Sequence, residues 1–272
     1  MTVQEPTAVG QIVGPPLPFG ARVDLAGRGT MFVRSLPAGA DADTDRPAVV
    51  LLHGWLASGG LNWFQTFADL EGAYEVHAPD LRGHARGIRS RRRFRLADCA
   101  DDVAAFIEQE LGGRPVIAVG YSMGGPIAQL LWKRHPDLVA GLVFAATSSR
   151  FVPGARERFV FATAMAAAAV GSRVGQSMTR AVPRIARRVP VEPHRRPASM
   201  GAWAAAEMRR HNTRAILEAG QAIGSYNARR WISTVDVPTA SVITTKDMAV
   251  APAEQGRLAF AIPGATIHRI ED

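Results

Sequence analysis

The sequence turns on Val116-Ile117-Ala118-Val119-Gly120-Tyr121-Ser122-Met123-Gly124-Gly125. An apolar, β-branched run ends abruptly in Gly-Tyr-Ser-Met-Gly, and Pro126-Ile127-Ala128-Gln129-Leu130-Leu131 then reads as a helix. The stretch predicts a strand, a tight turn and a helix, with Ser122 at the apex. Such a turn brings the backbone two residues before and two after the serine close together, which accounts for Gly120 and Gly124. It forces Ser122 into a strained conformation that lifts its hydroxyl clear of the sheet. The helix start then aims free N–H groups and a positive dipole end at whatever the serine attacks.

With 272 residues and 47% apolar content, the chain can bury the core of one α/β domain carrying an insertion. The single cysteine, Cys99, excludes an internal disulfide framework and points to a reducing cytosol. It falls in an amphipathic helical pattern and reads as a small core residue. No basic start followed by an apolar core marks a secretory signal, and no apolar run reaches the ~18 residues of a membrane span. A soluble, cytoplasmic protein is the expectation.

The formal charge of +8 is unevenly spread. Residues 150–234 hold 15 arginines against Glu157, Glu192, Glu207 and Glu218, a net of +11, so the remainder carries −3. Lys133 and Lys246 are the sole lysines. This arginine and alanine bias fits a GC-rich bacterial genome. No aromatic-basic interleaving supports nucleic-acid binding. The basic segment is compatible with contact to an anionic substrate or a membrane surface, but solvated arginines are the simpler reading.

Residues 1–20, with Pro6, Pro15, Pro16 and Pro18, read as a flexible lead-in. The first core segment is 21–149. It opens with a hairpin around Gly27-Arg28-Gly29 and continues with a buried strand at 48–52, which runs into His53-Gly54-Trp55. A short helix is expected over 62–70, a strand over 74–78 and a helix capped by Asp98. The basic run Arg89, Arg91, Arg92, Arg93 and Arg95 reads as a solvated loop face. A buried strand at 138–147 follows the Ser122 turn and its helix. Residues 150–234 read as a helical lid. Core residues 235–272 resume with a strand at 240–244, a helix at 253–261 and a strand at 266–270. Alternating strand and helix imply a mostly parallel sheet covered on both faces.

His53-Gly54-Trp55, Asp80-Leu81-Arg82-Gly83-His84, Gly120-Tyr121-Ser122-Met123-Gly124-Gly125 and Thr245-Lys246-Asp247 occur in the order of the α/β-hydrolase superfamily, and the chain resembles its lidded serine hydrolases. The resemblance implies an α/β-hydrolase fold with Ser122 as nucleophile. It also implies an oxyanion hole of the Trp55 and Met123 N–H groups, and Asp247 as the acid that orients a histidine. In the family that histidine follows the last strand and precedes a closing helix. Neither occurs before Asp272, so the expectation is a chain truncated just before the catalytic histidine. His268 is a candidate base, although it lies inside the strand. The other histidines read as structural: His53 in the oxyanion loop, His84 in the turn after Asp80, His77 in a strand, His135 at a helix end, and His194 and His211 in the lid.

The resemblance implies hydrolysis of an ester-like bond of a small to medium hydrophobic substrate through an acyl-enzyme on Ser122, with no cofactor and no metal. Phe159, Phe161, Met165, Val170, Met178, Met200, Trp203 and Met208 either line an apolar pocket or pack lid helices together. A non-catalytic ligand-binding protein, an acyltransferase, a C–C hydrolase and a cofactor-free haloperoxidase are the alternatives. Substrate identity and oligomeric state are not legible.

Overall fold

The computed structural model describes residues 15–40, 46–152, 163 and 199–271. Sequence expectations for Phe159, Phe161, Met165, Val170, Met178 and His194 lie outside the described residues.

One eight-stranded sheet runs in the order β1-β2-β4-β3-β5-β6-β7-β8. The strands are β1 (Gly20–Leu25), β2 (Gly29–Leu36), β3 (Val49–Leu52), β4 (Val76–Pro79), β5 (Val116–Tyr121), β6 (Val139–Ala145), β7 (Thr239–Thr244) and β8 (Thr266–Ile270). β1 and β2 form an antiparallel hairpin that joins β4 antiparallel, and every other pairing is parallel. Gly27, at φ +69°, turns the hairpin in a conformation that a side chain would strain.

The continuous apolar run of β3 follows from burial on both faces, and β4 is buried along its whole length with His77 as its one polar residue. Val50 and Leu52 face the larger core, with Cys99, Val103 and Ile107 of α3 (Leu96–Glu110) and Ile127 and Leu131 of α4 (Gly124–Arg134). Val49 and Leu51 face the opposite side, against Trp63 of α1 (Gly59–Trp63) and Phe67 of α2 (Thr66–Leu70). The alternation of neighbouring side chains thus divides one strand between two cores. Cys99 is buried, as its place in the helical pattern predicts.

Two local expectations are corrected. Instead of one helix over 62–70 there are two, because Ser58 caps α1 by accepting from the Leu61 N–H at 3.0 Å. Gly59 opens that helix against β4, where a Cβ would lie 2.6 Å from the Ala78 carbonyl oxygen. Asp98 does not cap α3. Arg95 is the extended N-cap residue, and Asp98 sits in the first turn, where its charge suits the helix dipole.

Between β6 and β7 the described part of the insertion contains α5 (Met200–Arg209) and α6 (Thr213–Ser225), each capped by a side chain, Ser199 and Asn212. Trp203 is buried edge-to-face on Phe64, with ring centroids 5.7 Å apart. Met200 and Met208 are exposed, so neither packs the helices together nor lines an enclosed pocket among the described residues. α7 (Pro252–Ala261) returns the chain to β8, whose residues are largely exposed. Among the described residues no helix is long and apolar enough to cross a membrane.

Asp102 on α3 ties the hairpin to the loop after β4. Its buried carboxylate accepts from Arg82 Nε and Nη2 at 2.7 and 2.6 Å and from Arg28 Nε at 2.5 Å. Replacing it leaves two half-buried guanidinium groups unmatched. Asp102→Ala is expected to lower the unfolding free energy by about 3 kcal/mol in urea titrations. A loss near zero would mean that water replaces the carboxylate freely.

Candidate active site

Ser122 follows β5 with φ +50°, in the left-handed region that a non-glycine residue enters only under constraint. Its N–H donates to the Ala145 carbonyl at 3.0 Å, and its own carbonyl accepts from the Gly125 N–H at 3.0 Å and the Thr147 hydroxyl at 2.7 Å. These bonds hold the strained residue from both sides. A Cβ on Gly120 would lie 2.5 Å from the Gly124 carbonyl oxygen, and one on Gly124 would lie 2.1 Å from the Leu52 carbonyl oxygen. Gly125 is equally confined, with Thr147 Oγ1 at 2.1 Å from its notional Cβ. The helix therefore begins against the sheet at a distance no side chain permits.

The loop after β3 meets this elbow. A Cβ on Gly54 would come within 3.4 Å of Ser122 Cβ and 3.1 Å of the Tyr121 ring. The Gly54 N–H donates to Asn62 Oδ1 at 2.9 Å, which fixes the loop to α1. His53 Nε2 accepts from the Leu81 N–H at 2.9 Å, so its proton is on Nδ1, which donates to the Gly54 carbonyl at 2.8 Å. Burial pushes the His53 pKa down to about 4, and the ring is a neutral strut between two loops. Trp55 follows Gly54 in the loop packed on the turn, and Met123 follows Ser122. Among the described residues neither backbone N–H has a carbonyl acceptor.

Asp247 lies in the turn after β7, at the same carboxyl edge of the sheet and two strand spacings from β5, roughly 10 Å. Its Oδ1 accepts from the Ala249 and Val250 N–H groups at 2.7 and 2.9 Å. Its Oδ2 accepts from the Thr244 hydroxyl at 3.1 Å and from Gln255 Nε2 at 3.2 Å. Four donors thus lock the carboxylate in place. His268 is not brought to Ser122. It pairs with Val242 in the row that runs through Ala145 to Tyr121, three strand spacings or roughly 14 Å away, and it is exposed. Among the described residues no histidine bonds to Ser122 or Asp247.

His53, His84 and His211 stand in a row, with ring centroids 5.3 and 5.5 Å apart. His84 donates from Nδ1 to the Arg82 carbonyl at 3.0 Å, and His211 Nδ1 accepts from the Ala85 N–H at 2.8 Å. All three are held below the usual imidazole pKa, chiefly by burial, and His84 most strongly through the added repulsion of His53. The basic run is exposed, as expected, but it also anchors the insertion. Arg214 of α6 donates to the Ser90 and Arg91 carbonyls at 2.6 and 3.0 Å, and Arg93 donates to Gln221 at 2.5 Å.

Sequence reasoning missed Thr147, Asn62 and Gln255, which hold the elbow, the loop and the carboxylate. Their signal is weak: each is an ordinary polar residue whose partner is distant in sequence or a backbone group. Glu207 was counted only as a charge, yet it is 3% exposed and bonded to Arg86 and Ser58.

A strained serine at a strand-to-helix turn, a glycine loop packed on it and a fixed carboxylate at the same edge of a mostly parallel sheet describe an α/β protein with its polar groups gathered at the carboxyl ends of the strands. The alpha/beta hydrolase fold family matches residues 47–272, and the chain belongs to that family. It is similar to a pimeloyl-[acyl-carrier protein] methyl ester esterase of Chromobacterium violaceum, 38% identical over 122 residues, covering 45% of this chain and 42% of that protein. The enzyme of the same name from Neisseria meningitidis serogroup B (strain ATCC BAA-335 / MC58) is 29% identical over 211 residues, 76% of this chain and 77% of the relative. Among solved structures, an esterase from Exiguobacterium antarcticum superposes with a TM-score of 0.70 at 20% identity, over 93% of this chain and 91% of that one, a likeness of fold.

Two predictions follow from this geometry. Gly124→Ala, which places a methyl group against the Leu52 carbonyl, is expected to cost at least about 2 kcal/mol in urea unfolding. Wild-type stability would show that the elbow can open. The histidine row sets a pH dependence. A histidine whose folded pKa lies below 6.5 contributes nothing above that pH and destabilises as pH falls towards the folded value. For His53 the penalty reaches about 2 kcal/mol by pH 5. Imidazole NMR is expected to show His53 as the neutral Nδ1–H tautomer down to about pH 4. A titration near 6.5 would contradict the burial argument.

Proposed function

We propose that this protein is a serine-dependent ester hydrolase acting on a small to medium hydrophobic carboxylic ester. The observation that carries the reading is the left-handed Ser122 held against the Gly54 loop, in a chain whose relatives are named as methyl ester esterases. In this reading Ser122 Oγ attacks the ester carbonyl. The oxyanion that forms accepts hydrogen bonds from the Trp55 and Met123 N–H groups, and the alkoxide leaves as an alcohol. Water then attacks the acyl-enzyme, the C–Oγ bond breaks, the carboxylic acid leaves and Ser122 is regenerated. Support for the two donors comes from their lack of a backbone acceptor and from the position of Met123 at the start of α4, where the helix dipole favours negative charge.

The base that takes the Ser122 proton and passes it to the departing alkoxide is a histidine in this reading, oriented by Asp247. The four donors on Asp247 support a positioning role, since they fix the direction of its carboxylate. His268 is set aside by its place in the sheet. The second reading, a ligand-binding protein without catalysis, is favoured by one observation: Ser122 has no histidine partner among the described residues.

Fluorophosphonate labelling and hydrolysis of p-nitrophenyl esters separate the two. The full-length protein is expected to label at Ser122 and to turn over esters. Ser122→Ala abolishes both, and His268→Ala leaves both intact. A wild-type protein that is folded but neither labels nor hydrolyses would favour the binding protein.

A further inference from the structure

The segment between Trp55 and Ser58 is bonded to both described helices of the insertion. Trp55 donates its indole N–H to the Ile216 carbonyl on α6 at 2.9 Å. Three residues on, the Ser58 hydroxyl donates to Glu207 Oε2 on α5 at 3.2 Å, while the same oxygen caps α1 by accepting from the Leu61 N–H. Between these anchors Leu56 has φ +61°, a left-handed conformation that a leucine adopts only when its surroundings impose it.

Glu207 is the centre of the second anchor. Its carboxylate accepts from Arg86 through both guanidinium nitrogens, at 2.8 and 2.6 Å, and Arg210 Nε lies 3.4 Å away. Arg86 belongs to the loop after β4, where its backbone N–H donates to Asp80 Oδ2 at 3.0 Å. Asp80 Oδ1 accepts from the Gly59 N–H at 2.9 Å, which returns the network to the start of α1. The circuit therefore runs from α5 through Glu207 to Ser58, and through Arg86 and Asp80 to Gly59. It closes around the loop that carries Trp55. A buried ion pair of this kind adds little net stability, because the desolvation of both ions offsets their attraction. What it does supply is direction, since the pair is satisfied only when α5 is seated on the loop after β4.

We infer that Glu207 and Ser58 are positioning residues: seating of the insertion on the core sets the conformation of the 55–58 loop and thereby the aim of the Trp55 backbone N–H. The inference rests on the reading of that N–H as an oxyanion donor. A donor that is displaced still allows substrate to bind, but it stabilises the tetrahedral oxyanion less, so the loss falls on kcat. Glu207→Gln keeps the shape and the Ser58 partner while removing the charge that holds Arg86. Ser58→Ala removes the hydroxyl from the loop side.

The test is a double-mutant cycle of Glu207→Gln and Ser58→Ala on a short p-nitrophenyl ester, with active sites counted by fluorophosphonate titration so that unfolded protein does not enter the rates. Each single variant is expected to lose roughly tenfold in kcat, with KM within about twofold of wild type. The double variant is expected to lose little more than the worse single one, because the contacts Arg86–Glu207 and Glu207–Ser58 act in series and breaking either one releases the loop from the seated helix. Unchanged kcat per titrated site in both single variants would overturn the inference, as would strictly additive losses. An inactive, unlabelled wild type is a separate outcome: it removes the hydrolase reading on which the inference stands. Glu207→Asp, which retains the charge, is expected to recover part of the lost kcat, and a loss as large as that of Glu207→Gln would count against the charge-held anchor.

Discussion

The close approach of the start of α4 to β5, to the end of β3 and to Thr147 after β6 leaves no space for a side chain at Gly120, Gly124 or Gly125, and much of the site follows from that closeness. A turn this tight has one way to connect strand to helix, and it places Ser122 at φ +50° with its backbone bonded to both Ala145 and Thr147. The strain, of the order of 1–3 kcal/mol, persists because parallel strands on either side fix the two ends of the turn. Packing of β3 and β6 beside β5 is thus the support for the elbow, and the large apolar core beneath α3 and α4 is the support for the strands.

Polar groups in the molecule follow a different logic. Asp80, Asp102 and Glu207 are buried carboxylates: Asp102 is matched by Arg28 and Arg82, and Asp80 and Glu207 by Arg86 together with backbone or hydroxyl donors. Such pairs contribute modestly to stability, but they are intolerant of misplacement. They link loops that the apolar core alone would leave free to move. His53 does the same with a neutral ring, joining the Gly54 loop to Leu81 through one acceptor and one donor. The edge of the sheet where Ser122 and Asp247 lie is therefore framed by short loops with defined positions.

The sheet was legible in the sequence because parallel strands buried on both faces read as unbroken apolar runs, as at 49–52 and 139–145. The elbow was legible because glycine spacing reports close backbone approach. Where local reading failed, a tertiary contact decided the outcome. The Ser58-Gly59-Gly60 stretch has the composition of a loop but starts a helix, because Ser58 caps it, and Gly59 is the residue that the nearness of β4 allows there. Glu207 looks like one more charge in an arginine-rich insertion. Its burial depends on Arg86, 121 residues earlier, and no periodicity carries that pairing. His268 shows a limit of residue type as a guide, since its register in β8 takes it away from the serine.

The most direct measurement is a crystal structure of the protein with a phosphonate ester attached to Ser122, which mimics the tetrahedral intermediate. The account predicts the phosphoryl oxygen about 2.7–3.1 Å from both the Trp55 and Met123 backbone nitrogens, with Ser122 still in the left-handed region. A phosphoryl oxygen turned to solvent or held by other donors, or a serine relaxed to negative φ, would contradict it.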